Sequence, residues 1–195
     1  MKNEKNNTKR LAGLAIFGAI IVFLQLFSTF VKFGPISITL ALIPIVVGAA
    51  AYGTLAGAIL GAVLGGVTLI ACIFGWDIGG NILWTANPPL TALLCFFKTG
   101  AAGFLSGVVY NLFSKKNISI GTVAAAVVCP VVNTGVFCLA MALFYNDILT
   151  QWAAGTPVLS YVIFGLVGIN FSIEFLVNVI LSPVATRILK IKNFI

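Results

Sequence analysis

Six apolar stretches, parted by short polar or glycine- and proline-bearing breaks, account for most of this chain. The first runs from Leu11 to Val31, about 21 residues, enough for a helix to cross a hydrocarbon layer. The second, Ser37 to Tyr52, carries Pro44, and the third, Thr54 to Phe74, follows with hardly a polar break. The fourth is Leu90 to Phe113, the fifth Ile120 to Tyr145 with Pro130 and Asn133 inside it, and the sixth Tyr161 to Leu189. Between the third and fourth lies Gly75 to Pro89, bearing Trp76 and Trp84, and between the fifth and sixth lies Asn146 to Ser160, bearing Trp152. Tryptophan at such breaks suits the membrane–water boundary. The pattern predicts an all-α membrane protein: one domain over residues 1–195, a bundle of six transmembrane helices with residues 1–10 as a basic tail.

Composition agrees. Apolar residues make up 61% and charged residues 8%, with a mean hydropathy of +1.15. A soluble domain carries about a quarter charged residues, so that class is excluded. The net charge of +7 sorts by position. Lys2, Lys5, Lys9, Arg10, Lys115, Lys116, Arg187, Lys190 and Lys192 fall at the N-terminus, the fourth–fifth turn and the C-terminus, while Lys32, Asp77 and Asp147 fall in the other connections. The excess of Lys and Arg on cytoplasmic loops places both termini in the cytoplasm, and connections one, three and five face outward. The basic balance therefore signals topology and no nucleic-acid partner. A signal peptide competes for the first run. However, that run is too long for such a segment, and Lys32-Phe-Gly-Pro35 lacks the small residues of a cleavage site, so it reads as a retained helix.

Catalytic signatures are lacking. There is no histidine, no HExxH, no GxSxG and no phosphate-binding glycine loop. If ATP drives transport here, another polypeptide binds it. Cys72, Cys95, Cys129 and Cys138 lie in apolar runs without a CxxC and read as small hydrophobes, so no metal or cofactor is expected.

The informative residues are the polar ones set within grease. Glu174 is the one carboxylate placed inside the membrane, where a charge costs a few kcal/mol and usually faces a bundle interior or cavity. Asn170 lies four residues before it and Asn178 four after, stacking all three along one side of a helix. Lys98, in the fourth run, is the one comparably deep base, about 12 Å below the outer surface at helical rise. Asn133 adds an amide from the fifth run. Together Lys98, Asn133, Asn170 and Glu174 suit a small polar solute. The competing reading is that Lys98 and Glu174 only pair, bracing two helices.

Two small-residue patterns complete the picture. Gly53, Gly57, Gly61 and Gly65 recur every fourth residue, a ridge suited to close packing inside the bundle or, less economically, to a dimer face. Ala12, Ala15 and Ala19 give the first helix a small-residue face toward the cytoplasm, and Gln25, Ser28 and Thr29 give its outer end a polar face.

These features resemble the substrate-binding S component of energy-coupling factor (ECF) transporters. The likeness rests on six spans, the Ala15-Ile-Phe-Gly-Ala19 AxxxA and Pro35-Ile-Ser-Ile-Thr-Leu-Ala-Leu-Ile-Pro44. It also rests on Gly53-Thr-Leu-Ala-Gly57-Ala-Ile-Leu-Gly61 and on Asn170…Glu174…Asn178 before a basic C-terminus. The resemblance implies capture of a small water-soluble vitamin outside the cell and delivery by toppling in the membrane. A transmembrane coupling subunit and two cytoplasmic ATPase subunits would supply the drive. It implies docking of Ala15 and Ala19 on the coupling subunit, and a ligand held by Lys98, Asn133, Asn170 and Glu174 beneath Phe33–Ile38. Pantothenate and riboflavin are the ligands considered. Riboflavin- and folate-type members place Lys three residues after the helix-six Asn, a pattern absent here. A solitary ion-coupled carrier using Glu174, or a non-transporting membrane scaffold, are the alternatives.

Overall fold

The computed structural model describes residues 2–29, 32–33, 36–37 and 39–192. Helix α1 spans Lys2–Thr29, so the basic tail continues the first membrane helix. Two-residue strands β1 (Lys32–Phe33) and β2 (Ile36–Ser37) then pair antiparallel, Lys32 with Ser37 and Phe33 with Ile36. Helices α2 (Leu42–Tyr52) and α3 (Thr54–Ile73) follow, joined by Gly53 alone. Its φ of 97° turns the chain without a loop, a conformation glycine adopts at no steric cost.

The expected second span is shorter than its apolar run. Helix α2 begins at Leu42 and has 11 residues, about 16 Å of rise, roughly half a hydrocarbon layer. Pro44 sits in its first turn, where a missing N–H removes no helical bond. Leu42, Ile45, Val46, Val47 and Ala49 are all buried, so protein surrounds α2.

Next come α4 (Ile78–Ala86), α5 (Pro88–Ser114), α6 (Ile118–Phe144) and α7 (Asn146–Ala153). A single turn, α8 (Val158–Ser160), leads into a π-helix at Tyr161–Val167 and then α9 (Gly168–Lys192). Local chemistry sets several starts. The Asn87 side chain accepts from Leu90 N at 3.2 Å, with Pro88 and Pro89 in the first turn of α5. The Asn117 side chain accepts from Ser119 N at 2.8 Å at the head of α6. The protein is thus helical, with five helices long and apolar enough to cross a membrane among the described residues. The two polar connections are themselves largely helical, because α4 buries Leu83 and α7 buries Leu149 against the bundle.

The glycine ridge packs inward. A Cβ on Gly57 would lie 2.3 Å from Gly103 O, one on Gly61 2.2 Å from Thr99 O, and one on Gly65 2.7 Å from Cys95 O. The partners recede by four along α5 as the glycines advance by four along α3, so the two helices run antiparallel with backbones nearly touching. Lipid tails are as apolar as leucine, and this kind of packing is what holds membrane helices together.

Two apolar clusters bracket the site. One gathers Ile21, Ile45, Leu60, Ala102, Cys129 and Ala185, and the other gathers Leu83, Leu94, Met141 and Leu149. On α5 the first holds Ala102 and the second Leu94; on α6 the first holds Cys129 and the second Met141. Lys98 and Asn133 fall in the layer between.

Candidate functional site

A cavity of about 600 Å³, counted to its open mouth, occupies that layer. Helix α5 supplies Lys98, α6 supplies Asn133, Thr134 and Phe137, and α9 supplies Asn170, Phe171 and Glu174. All four residues singled out from the sequence therefore line one space. Asn133, Asn170 and Glu174 are buried, and Lys98 is half-buried.

The charges do not pair directly. Lys98 Nζ stands 5.0 Å from the centre of the Phe137 ring, a cation–π contact. Glu174 Oε1 accepts from the backbone N–H of Thr39 at 2.8 Å, with the Asn133 side chain beside the carboxyl group. Lys98 faces that carboxyl group as a charge at a distance rather than as an ion-pair partner. Asn178, one turn below, donates through Nδ2 to Glu174 O at 2.7 Å and does not line the cavity.

Glu174 Oε2 and Asn133 Oδ1 are buried acceptors without a protein donor among the described residues. A buried acceptor left unmet costs about 1–3 kcal/mol, and more when charged. Such atoms mark where a bound solute or ordered water fits. Within the expected cover over the site, Gly34, Pro35 and Ile38 lie outside the described residues, whereas Thr39, just past its end, reaches Glu174.

Sequence reasoning missed part of the lining. Gln25 and Thr29 of α1 were legible as a polar face, and the structure turns them into the cavity. Asp77 read as an outer-loop charge, yet it is 7% exposed and lines the same space, so a second carboxylate accompanies Glu174. Thr68 carried no signal, since isolated threonines are common in such helices, and Thr39 lies in the connection before α2, where no pattern points inward. Phe137 stands one helical turn after Asn133 on the same face, and that spacing was the available cue.

On α1, Ala12, Ala15 and Ala19 are exposed, with Ile16 and Phe23 beside them, at 61% and 68% exposure. The bundle thus leaves the AxxxA face uncovered. Gly57, Gly61 and Gly65, by contrast, are covered by α5, which removes them as a surface for another chain.

Comparison with known proteins gives concordant results. A family model described as "ECF transporter, substrate-specific component" matches residues 9–186. The pantothenic acid transporter PanT of Lactococcus lactis subsp. cremoris (strain MG1363) is 27% identical over 191 residues, covering 92% of each chain. No solved structure matches significantly. With the family match extending over nearly its whole length, the chain belongs to the substrate-specific components of ECF transporters, multi-pass proteins of the cell membrane that bind the transported substrate and are not enzymes.

Proposed function

We propose that this protein captures pantothenate at the outer face of the cell membrane and hands it to an ECF module of one transmembrane coupling subunit and two cytoplasmic ATPase subunits. Lys98 would meet the carboxylate, while Asn133, Asn170 and Glu174 would meet the hydroxyls and amide. The observation that carries this reading is that Lys98 and Glu174 face one cavity without pairing with each other, while among the described residues Glu174 Oε2 and Asn133 Oδ1 lack a protein donor. A bracing pair would instead close on itself and leave no space. The substrate of the PanT relative favours pantothenate over riboflavin.

Six crossings within a single domain and two cytoplasmic termini follow from the same reading. Arg10 donates through a guanidinium N–H to Tyr52 O at 3.1 Å, and the Phe17 and Tyr52 rings meet edge-on at 6.3 Å between centres. The end of α2 therefore lies beside the N-terminal part of α1. The test is mass spectrometry of the small molecules retained on the purified chain, followed by calorimetric titration with pantothenate and riboflavin. Retention and micromolar or tighter binding of pantothenate is expected; riboflavin binding without pantothenate binding would overturn the ligand assignment.

A further inference from the structure

Beside the main cavity lies a second lobe of about 350 Å³, likewise counted to its open mouth. Thr68, Asp77, Lys98 and Phe137 line both spaces and form a waist between them. Beyond the waist the chemistry changes. The walls are Cys72, Gly80, Leu83, Thr91, Leu94 and Cys95. The one hydroxyl among them is engaged already: Thr91 Oγ1 donates to Asn87 O at 2.9 Å and meets Tyr145 Oη at 2.8 Å. Gly80 lets the α4 backbone close against this wall, since a Cβ there would lie 2.3 Å from Cys72 Sγ and 2.8 Å from Asp77 Oδ2. The main cavity offers unmet acceptors and the second lobe offers almost none.

We infer that the second lobe is a subsite for a branched alkyl group of the ligand, and that the polar remainder stays in the main cavity with its anionic end within reach of Lys98. The inference rests on the functional reading above and goes beyond it by dividing the ligand between two chemistries. A solute with amide and hydroxyl groups throughout would leave the second lobe unfilled. Pantothenate suits the division, because its dihydroxy-acyl end carries two methyl groups on one carbon and its other end is a carboxylate. Burying methyl groups against leucine and thiol surfaces is favourable, whereas the main cavity's amides and carboxylate gain nothing from them.

The test compares pantothenate with its analogue lacking both methyl groups, by calorimetry on the purified full-length chain. The unaltered protein is expected to prefer pantothenate by about tenfold or more. Cys95→Leu and Cys72→Val add bulk from two sides of the lobe, and each should lower that preference to about twofold or less. Reading the ratio separates loss of the subsite from general damage, which lowers both affinities and preserves their ratio. If Cys95→Leu does not fold, the smaller Cys72→Val change decides. A preference that survives the substitutions, or none in the unaltered protein, overturns the inference alone. Absence of pantothenate binding to the unaltered protein overturns the ligand assignment itself, and this inference with it.

Discussion

Glu174 divides its two oxygens between different tasks. Oε1 accepts from Thr39 N–H and so ties the segment entering α2 to α9, while Oε2 meets no donor among the described residues. Glu174→Gln keeps an acceptor for Thr39 and removes the charge. The variant should weaken ligand binding by about tenfold or more, at 1.4 kcal/mol per decade, with little change in thermal stability. Lys98→Ala should do the same, because it deletes a cation that touches a ring rather than a carboxylate. Removing one member of a true buried ion pair would cost about 3–5 kcal/mol of stability. Titration calorimetry and thermal unfolding of both variants separate the outcomes; lost stability with intact affinity would return the pair to a bracing role. Lys98 and Glu174 were legible in the sequence because a charge in an apolar run has few structural excuses. Asp77 and Thr39 were not, because only tertiary folding brings the α3–α4 connection and the end of the hairpin segment against the same space.

At the scale of elements, the four-residue glycine period was legible but its partner was not. Nothing local in the sequence says that Gly57, Gly61 and Gly65 oppose Gly103, Thr99 and Cys95. Contact on this scale is unforgiving. Gly61→Ala would place a Cβ 2.2 Å from Thr99 O, a backbone atom that cannot swing away, and overpacking of this kind costs about 1–3 kcal/mol. Gly135→Ala meets nothing within 4 Å and replaces a poor helix former with the best one. Thermal unfolding in detergent should therefore show a clear loss for Gly61→Ala and none, or a slight gain, for Gly135→Ala. Equal behaviour of the two would mean that α3 and α5 are not in close contact. The long helices followed from run length alone. Helices α4 and α7 did not, since nine- and eight-residue helices gain their stability by docking Leu83 and Leu149, which a polar-looking segment conceals.

The whole molecule presents two unlike ends to its surroundings. At one, Gln25, Thr29 and Thr39 line the cavity; toward the other, α1 leaves Ala15 and Ala19 uncovered while its opposite side buries Ile21 and Gln25. An amphipathic reason for exposing alanine to lipid is lacking, since leucine would serve as well. A small-residue face is useful where another helix must come close. In the proposed cycle that helix belongs to the coupling subunit, and substrate capture and docking then use separate surfaces. Replacing both Ala15 and Ala19 with Leu should thus leave pantothenate affinity within about twofold, as read by calorimetry on the isolated chain. The same variant, reconstituted with the coupling and ATPase subunits, should lose ATP-driven uptake into liposomes and fail to copurify with them. Uptake that survives would move the docking surface elsewhere on the bundle. Uptake by this chain alone, driven by a proton gradient, would show that no partner is needed and that Glu174 carries protons.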